Sequence, residues 1–476
     1  MDRARTATPG RPPAAGLPPR AADHARPLLI AVGTVACGAV LLLAYLGKQQ
    51  CAGPLFDAFG RSLPDWTLRA NRDLCYSDIQ YLWIGRDINQ HVFPYVHGGL
   101  AFGSRLDGGS LEYPVLTGLF IWLAAIGAHT DAAFLAHNAL MLAPFGLLTA
   151  ALLFALAGRR ACWFVGAPAL VLYAFLSWDL IPVALVTVGL AVLLAGPSRW
   201  NRRHRAIVAG IAFGVGGAAK FYPLMFAAPV IAWLLFPEPE GPAGERRPDV
   251  RGAALVAVAT VGSFALINAP FAIVGFRGWW ASFQFQWSRP LDESTNSIWF
   301  WAIRPPSDDA AAQHTLALVS TGATAAGMAA VLTAGFLVAR RRRAAYPWLP
   351  VAAALLCAYL LLNKVHSPQY VLWLLPFFVL LRIRAGWILA YFAADVCLGV
   401  GFFHLQYLLN EHLPSGIRDS WAAQAVVVGV WGRAGLLVGL VVAFLAAAPA
   451  RARWAAAGQV PAGTSQPRSR MHQEVQ

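Results

Sequence analysis

The sequence predicts an all-α, polytopic membrane protein with about 12 transmembrane helices, counted against the roughly 20 apolar residues that cross a bilayer. Three observations predict it. Of 476 residues, 58% are hydrophobic and only 13% charged, against about 25% charged in soluble domains. Mean hydropathy is +0.54. The apolar runs are continuous rather than alternating, which argues against a β-barrel.

Residues 1–26 are rich in Pro, Ala and Arg and are expected to be a disordered, cytoplasmic N-terminus. The apolar run at 28–46 is too long, and too far from the start, for a cleaved signal sequence. It is expected to be the first, uncleaved span. The membrane domain then covers 27–448, with a first outer loop at 48–112 and a second at 276–313, and 449–476 form a disordered basic cytoplasmic tail. In the first loop, Ser77 and Gln80 have the spacing of a capping box. A surface helix from Asp78 to about residue 90 places Ile79, Leu82 and Trp83 on one face. The strip His97-Gly98-Gly99 to Asp107-Gly108-Gly109 is expected to be flexible loop.

Apolar segments follow at 113–128, 132–157 (kinked at Pro144), 161–177, 179–196 and 206–236, the last interrupted at Lys220. Beyond the mixed-charge loop 237–251, expected to be cytoplasmic, spans are expected at about 252–275, 314–339, 346–362, 370–381, 385–407 and 422–448.

The net charge of +14 is clustered: Arg3, Arg5, Arg11, Arg20 and Arg26; residues 340–343; Arg382 and Arg384; Arg451, Arg453, Arg468 and Arg470. These clusters flank apolar runs without interleaved stacking aromatics, the pattern of the positive-inside rule and not of nucleic-acid binding. The second half alternates correctly under that rule. The first half allows two arrangements. If every run from 113 to 196 crosses once, Arg159, Arg160 and the basic loop near 200 fall outside. A re-entrant segment at 132–157 with a split at Lys220 places both inside. The face seen by Asp179 and Lys220 depends on which holds. Cys37, Cys162, Cys357 and Cys397 lie in apolar segments as packing residues. Cys51 and Cys75 share the first loop, where a disulfide would form if that loop is extracytoplasmic. No cysteine spacing suggests a metal site.

Polar groups at membrane depth are costly and concentrate at functional positions. Asp78 is either a helix-start acid favoured by the helix dipole or a general base for an acceptor hydroxyl. Arg86 and Asp87, about two turns on, either pair within the loop or contact substrate: Arg86 a phosphate, Asp87 the acceptor. Glu112-Tyr113-Pro114 marks a water boundary or supplies a second acid facing the same cavity. In Ala219-Lys220-Phe221-Tyr222-Pro223, Lys220 either snorkels or binds a lipid-linked phosphate as a compact cation. In Asn363-Lys364-Val365-His366-Ser367-Pro368-Gln369-Tyr370, turn chemistry explains Asn, Ser and Pro. It does not explain Lys364, His366 and Gln369 together, which suit donor phosphate or sugar binding. The chain has no P-loop, Rossmann fingerprint, HExxH or GxSxG.

In order and spacing, Ser77-Asp78-Ile79 with Leu82-Trp83, Pro94-Tyr95, Glu112-Tyr113-Pro114, Ala219-Lys220-Phe221-Tyr222-Pro223-Leu224 and His366-Ser367-Pro368-Gln369-Tyr370 resemble the GT-C membrane glycosyltransferases. The nearest group is the actinobacterial polyprenyl-phosphate-mannose-dependent α-1,2-mannosyltransferases of phosphatidylinositol mannosides and lipoglycans. The resemblance spans roughly residues 30–445. It implies an inverting transferase without cofactor or catalytic metal, set in the plasma membrane with an extracytoplasmic site. Asp78 would deprotonate the acceptor. Lys220, Tyr222, Lys364, His366, Gln369 and Arg86 would hold the polyprenyl-phosphate donor. Glu112, Asp87 and Tyr113 would serve a lipid-linked glycan acceptor, and Trp287, Asn296 and Trp299 would stack or hydrogen-bond beneath the outer loops. The alternatives are an arabinosyltransferase of the same fold, or a transporter or flippase of lipid-linked sugars. The latter would show two related halves, and no such repeat is evident.

Overall fold

The structure is a computed structural model that describes residues 19–101, 105–239, 245–306 and 308–450, with side chains from residue 26 onward. The N-terminal residues 1–18 and the tail 451–476, both expected to be disordered, lie outside the described residues. The protein is an α-helical, multi-pass membrane protein. Among the described residues six helices are long and apolar enough to cross a membrane, and five shorter apolar helices accompany them.

The first helix, α1 (Pro19–Gln49), starts ahead of the expected boundary at residue 27, because the Ala-rich run 21–25 favours helix. The first loop carries α2 (Trp66–Arg72) and α3 (Asp78–Gly85). Helix α3 stops earlier than expected. Asp87 adopts the left-handed conformation, and a single 3-10 turn at Ile88–Gln90 follows. Ile79, Leu82 and Trp83 are buried, as the helical face requires. The glycine strip expected to be flexible holds an antiparallel hairpin, β1 (Gly99–Leu100) with β2 (Leu106–Asp107). Gly98 has φ +78°, and a Cβ there would meet the Asp107 carbonyl oxygen at 2.1 Å. Cys51 and Cys75 form a disulfide within this loop.

Three expected segments change. Helix α4 (Val115–Ala125) has 11 residues, about 16 Å at 1.5 Å per residue, too short to cross. By Asp131 the chain is back at the first loop, where the Asp131 amide donates to the Gly60 carbonyl at 2.8 Å. Helix α5 (Asp131–Ala157) is continuous over 27 residues despite Pro144, about 40 Å, so 132–157 is not the re-entrant element. Residues 161–177 form two short helices, α6 (Cys162–Val165) and α7 (Pro168–Tyr173), because Gly166 and Pro168 interrupt the run.

After α8 (Leu180–Ala195), α9 (Arg202–Ala219) ends at Lys220 and α10 (Ala227–Leu235) returns beside it. The Arg202 guanidinium at the start of α9 donates to the Trp233 carbonyl near the end of α10. Lys220 therefore sits at a helix reversal. The remaining helices are α11 (Val250–Val274), α12 (Phe276–Ser288), α13 (Ile298–Ile303), α14 (Ala310–Arg342), α15 (Trp348–Leu362), α16 (Val371–Leu380), α17 (Ala385–Asn410) and α18 (Trp421–Ala446). Residues 449–450, expected within the free tail, are tied to α16: Leu381 and Pro449 form a bridge, and the Ala450 amide donates to the Leu380 carbonyl.

Among the described residues, basic groups between 159 and 384 that flank the apolar runs, namely Arg160, Arg203, Arg246, residues 340–343 and Arg382, gather at one end of the bundle. Arg160 donates to the carbonyls of Phe378, Val379 and Leu381, next to Arg382. Arg246 donates to Ala344, beside the cluster 340–343. Arg203 pairs with Asp249. This placement removes the conflict in the first half of the chain, since α4 is the element that fails to cross.

Candidate active site

A cavity of about 750 Å³ opens at the end of the bundle away from the arginine clusters. Its wall takes residues from the first loop, the Lys220 reversal, the second loop, the 363–370 turn and the end of α17.

Asp78 reaches it from the first turn of α3. Ser77 caps that turn by accepting from the Ile79 amide at 3.2 Å. The expected reciprocal half of a capping box is absent: Gln80 is buried with neither side-chain amide atom partnered. The turn is instead anchored across the fold. The Ser77 hydroxyl donates to the Phe175 carbonyl at 2.7 Å, and the Asp78 amide donates to Leu176 at 2.8 Å. The Asp78 carboxylate accepts from the Tyr113 hydroxyl at 3.2 Å, and the Tyr76 side chain lies beside it and favours its ionised form. Burial and the nearby charge of Glu112 push its carboxyl up to about 6, against the opposing pull of Lys220 and the two tyrosines. Such a carboxylate is a competent proton acceptor near neutral pH.

Lys220 lines the same cavity. Its ammonium donates to Asp179 at 2.7 Å and lies 5.0 Å and 5.3 Å from the ring centres of Tyr370 and Trp373. Asp179 is fully buried and also accepts from the Ser177 hydroxyl at 2.7 Å and the Trp373 indole at 2.6 Å. Tyr222 stacks on Trp373 at 4.0 Å, and its buried hydroxyl has no partner. An ammonium has three donors, so Lys220 keeps hydrogens for an anion in the cavity after binding Asp179.

The other candidates divide. Lys364 and Gln369 line the cavity. The Lys364 ammonium is spent partly on the carbonyls of Trp287 and Arg289, at 2.8 Å and 3.1 Å. Burial, with the Arg289 charge beside it, pulls its pKa down to about 8. Glu112 and Tyr113 also line the cavity. Arg86 does not: its guanidinium grips Glu112 through two bonds, at 2.8 Å and 3.2 Å. Asp87 lies at a smaller neighbouring cleft. The His366 ring is buried beside the cavity and outside its lining, with Nε2 unpartnered. Trp287, Asn296 and Trp299 also fall outside the lining; the Trp299 indole donates to the Leu362 carbonyl at 2.7 Å.

Lining or supporting groups that sequence reasoning did not assign to the site include Tyr76, Arg289, Asp292 and Asp179. Asp179 had a signal, an acid between apolar runs with Lys220 as the nearest lone intramembrane cation. Arg289 had none, because its approach to Lys364 depends on loop folding. Among the described residues, no three His, Cys, Asp or Glu side chains group as metal ligands.

No family model and no curated protein matches the chain. Several solved structures have some likeness to the chain. One is the Archaeoglobus fulgidus oligosaccharyltransferase AglB with an inhibitory peptide and a dolichol-phosphate, at 13% identity and TM-score 0.37, covering 85% of this chain and 56% of that one. The Archaeoglobus fulgidus oligosaccharyltransferase complex with Zn and sulfate matches at 14% identity and TM-score 0.36, covering 83% and 53%. ArnT from Cupriavidus metallidurans bound to undecaprenyl phosphate matches at 14% identity and TM-score 0.38, covering 86% and 76%. The chain thus spans little more than half the length of the oligosaccharyltransferases it matches.

Proposed function

We propose that the protein is an inverting membrane glycosyltransferase of the GT-C type, with residues 27–448 as its catalytic domain. It moves a sugar, mannose by the motif resemblance, from a polyprenyl-phosphate donor to a lipid-linked glycan. The observation that carries this reading is the cavity itself. It holds two carboxylates without a salt-bridge partner, Asp78 and Asp292, together with three cations, Lys220, Arg289 and Lys364. Asp292 accepts from the Ser294 amide and hydroxyl of its own turn, which leaves Asp78 as the candidate base.

In this mechanism Asp78 takes the proton of an acceptor hydroxyl as the hydroxyl oxygen attacks the anomeric carbon. The bond from that carbon to the phosphate oxygen breaks, and the phosphate leaves with the electron pair toward the cations. Attack opposite the leaving group inverts the sugar. Two features support an extracytoplasmic site: the arginine clusters occupy the opposite end, and the loop bearing Asp78 contains the Cys51–Cys75 disulfide.

The test is transfer by purified protein from polyprenyl-phosphate-mannose. Asp78→Asn should lower the rate by about 10³-fold, within the range for a lost general base, while the protein remains folded. Near wild-type transfer by Asp78→Asn overturns the mechanism. Transfer only from the corresponding arabinose donor overturns the choice of sugar alone.

A further inference from the structure

Midway along α17 and α18 lies a charge pair that the proposed chemistry does not use. Arg433 and Asp395 are 0% and 1% exposed and pair at 3.3 Å. Burying two ions is costly, and a well-packed apolar replacement is often as stable or more so. Cohesion between the two helices does not require the pair. A Cβ on Gly429 would lie 2.6 Å from the Leu398 amide nitrogen, and one on Gly401 would lie 3.0 Å from the Ala422 carbonyl oxygen. Small residues already bring these backbones together.

The second arm of the guanidinium points elsewhere. Arg433 Nη2 donates to the His366 carbonyl at 3.1 Å, closer than its contact with Asp395. His366 belongs to the 363–370 turn, and its amide donates to the Thr295 carbonyl of the second loop at 2.7 Å. From this turn a chain of close contacts leads to Lys220. Tyr370 stacks on Trp373 at 3.9 Å, the Trp373 indole bonds Asp179, and Asp179 bonds Lys220. Helix packing explains α17 against α18, and only the second arm explains why the buried cation is an arginine.

We propose that Arg433, charge-balanced by Asp395, is a positioning residue: it holds the His366 carbonyl and thereby sets the 367–370 wall of the cavity against Lys220. Its consequence for donor binding rests on the phosphate reading of Lys220 given above; the positioning itself does not.

Two variants test it. Arg433→Lys keeps the charge opposite Asp395 but lacks the planar fork that holds two directions at once. Arg433→Met with Asp395→Leu removes both charges, so that no ion is left buried alone. Hydrogen–deuterium exchange and affinity for undecaprenyl phosphate are measured on each purified, folded protein. Exchange at 363–370 should rise about tenfold in both, the effect of one lost charged hydrogen bond, while α17 and α18 keep wild-type protection. Affinity for undecaprenyl phosphate should fall about fivefold, a binding change of less than one decade. Unchanged exchange at 363–370 overturns the proposal, and so does a rise spread evenly along α17 and α18. Wild-type protein that binds no undecaprenyl phosphate overturns the phosphate reading of Lys220, and the exchange result still decides the positioning role.

Discussion

Asp78 and Asp179 share Tyr113 and Lys220 as neighbours, yet they are held in opposite ways. Asp179 is fully buried and meets an ammonium, an indole N–H and a hydroxyl. Its charge is answered by three donors, and it lies outside the cavity lining. Asp78 is half-buried at the cavity wall, meets only tyrosine side chains, and has Glu112 as a like-charged neighbour. A carboxylate with a full set of donors is a structural charge. One that is partly desolvated and without a cation of its own is left with affinity for a proton. The difference lies in surroundings and not in residue type.

The largest expected effect is the loss of transfer in Asp78→Asn described above. The same variant should sharpen the contrast through stability. The Asp78 carboxyl titrates at about 6 in the folded protein and near 4 in an unfolded chain. Its contribution to stability is therefore present below about pH 4 and lost as pH rises through about 6. Asp78→Asn should raise the melting temperature at pH 8 and leave it nearly unchanged below pH 4. A lower melting temperature at pH 8 would place Asp78 among the structural charges.

Next in size is the opposite behaviour of the buried pair. Lys220→Met leaves Asp179 buried without its cation and should cost about 3–5 kcal/mol of stability. Adding Asp179→Asn should recover most of that stability in a thermal melt without restoring transfer. Recovery of transfer by the double variant would assign Lys220 to scaffolding alone.

A pH profile gives a smaller, graded effect. The kcat/KM for transfer should fall about tenfold per unit below pH 6 as Asp78 takes up a proton. A flat profile from pH 4.5 to 7.5 would break the assignment of Asp78 as base. The smallest change is expected from Tyr113→Phe. The Tyr113 hydroxyl favours the ionised carboxylate, so its removal should move the acid limb to higher pH by less than about one unit, the worth of a single hydrogen bond.

Much of the fold was legible in the chain because its signals are local. Continuous apolar runs mark the spans, and the Ser77–Asp78 start of α3 follows from side-chain capping. Lengths and reversals were less legible. The 11 residues of α4 and the 27 of α5 are similarly apolar, and only docking of Asp131 back onto Gly60 distinguishes a segment that turns from one that crosses.

The site divides along the same line. Local sequence was enough to single out Asp78, Glu112, Lys220 and the 363–370 turn, because polar groups beside apolar runs are expensive and conspicuous. Their partners were decided by tertiary structure alone. Arg86 pairs with Glu112, Lys220 gives one of its three donors to Asp179, and the His366 carbonyl accepts from Arg433, across separations of 26, 41 and 67 residues. Residue type and spacing determine which groups can carry charge at the membrane. Which of those charges remains free for chemistry depends on what packs within about 3 Å of each, and that is fixed only when distant helices meet.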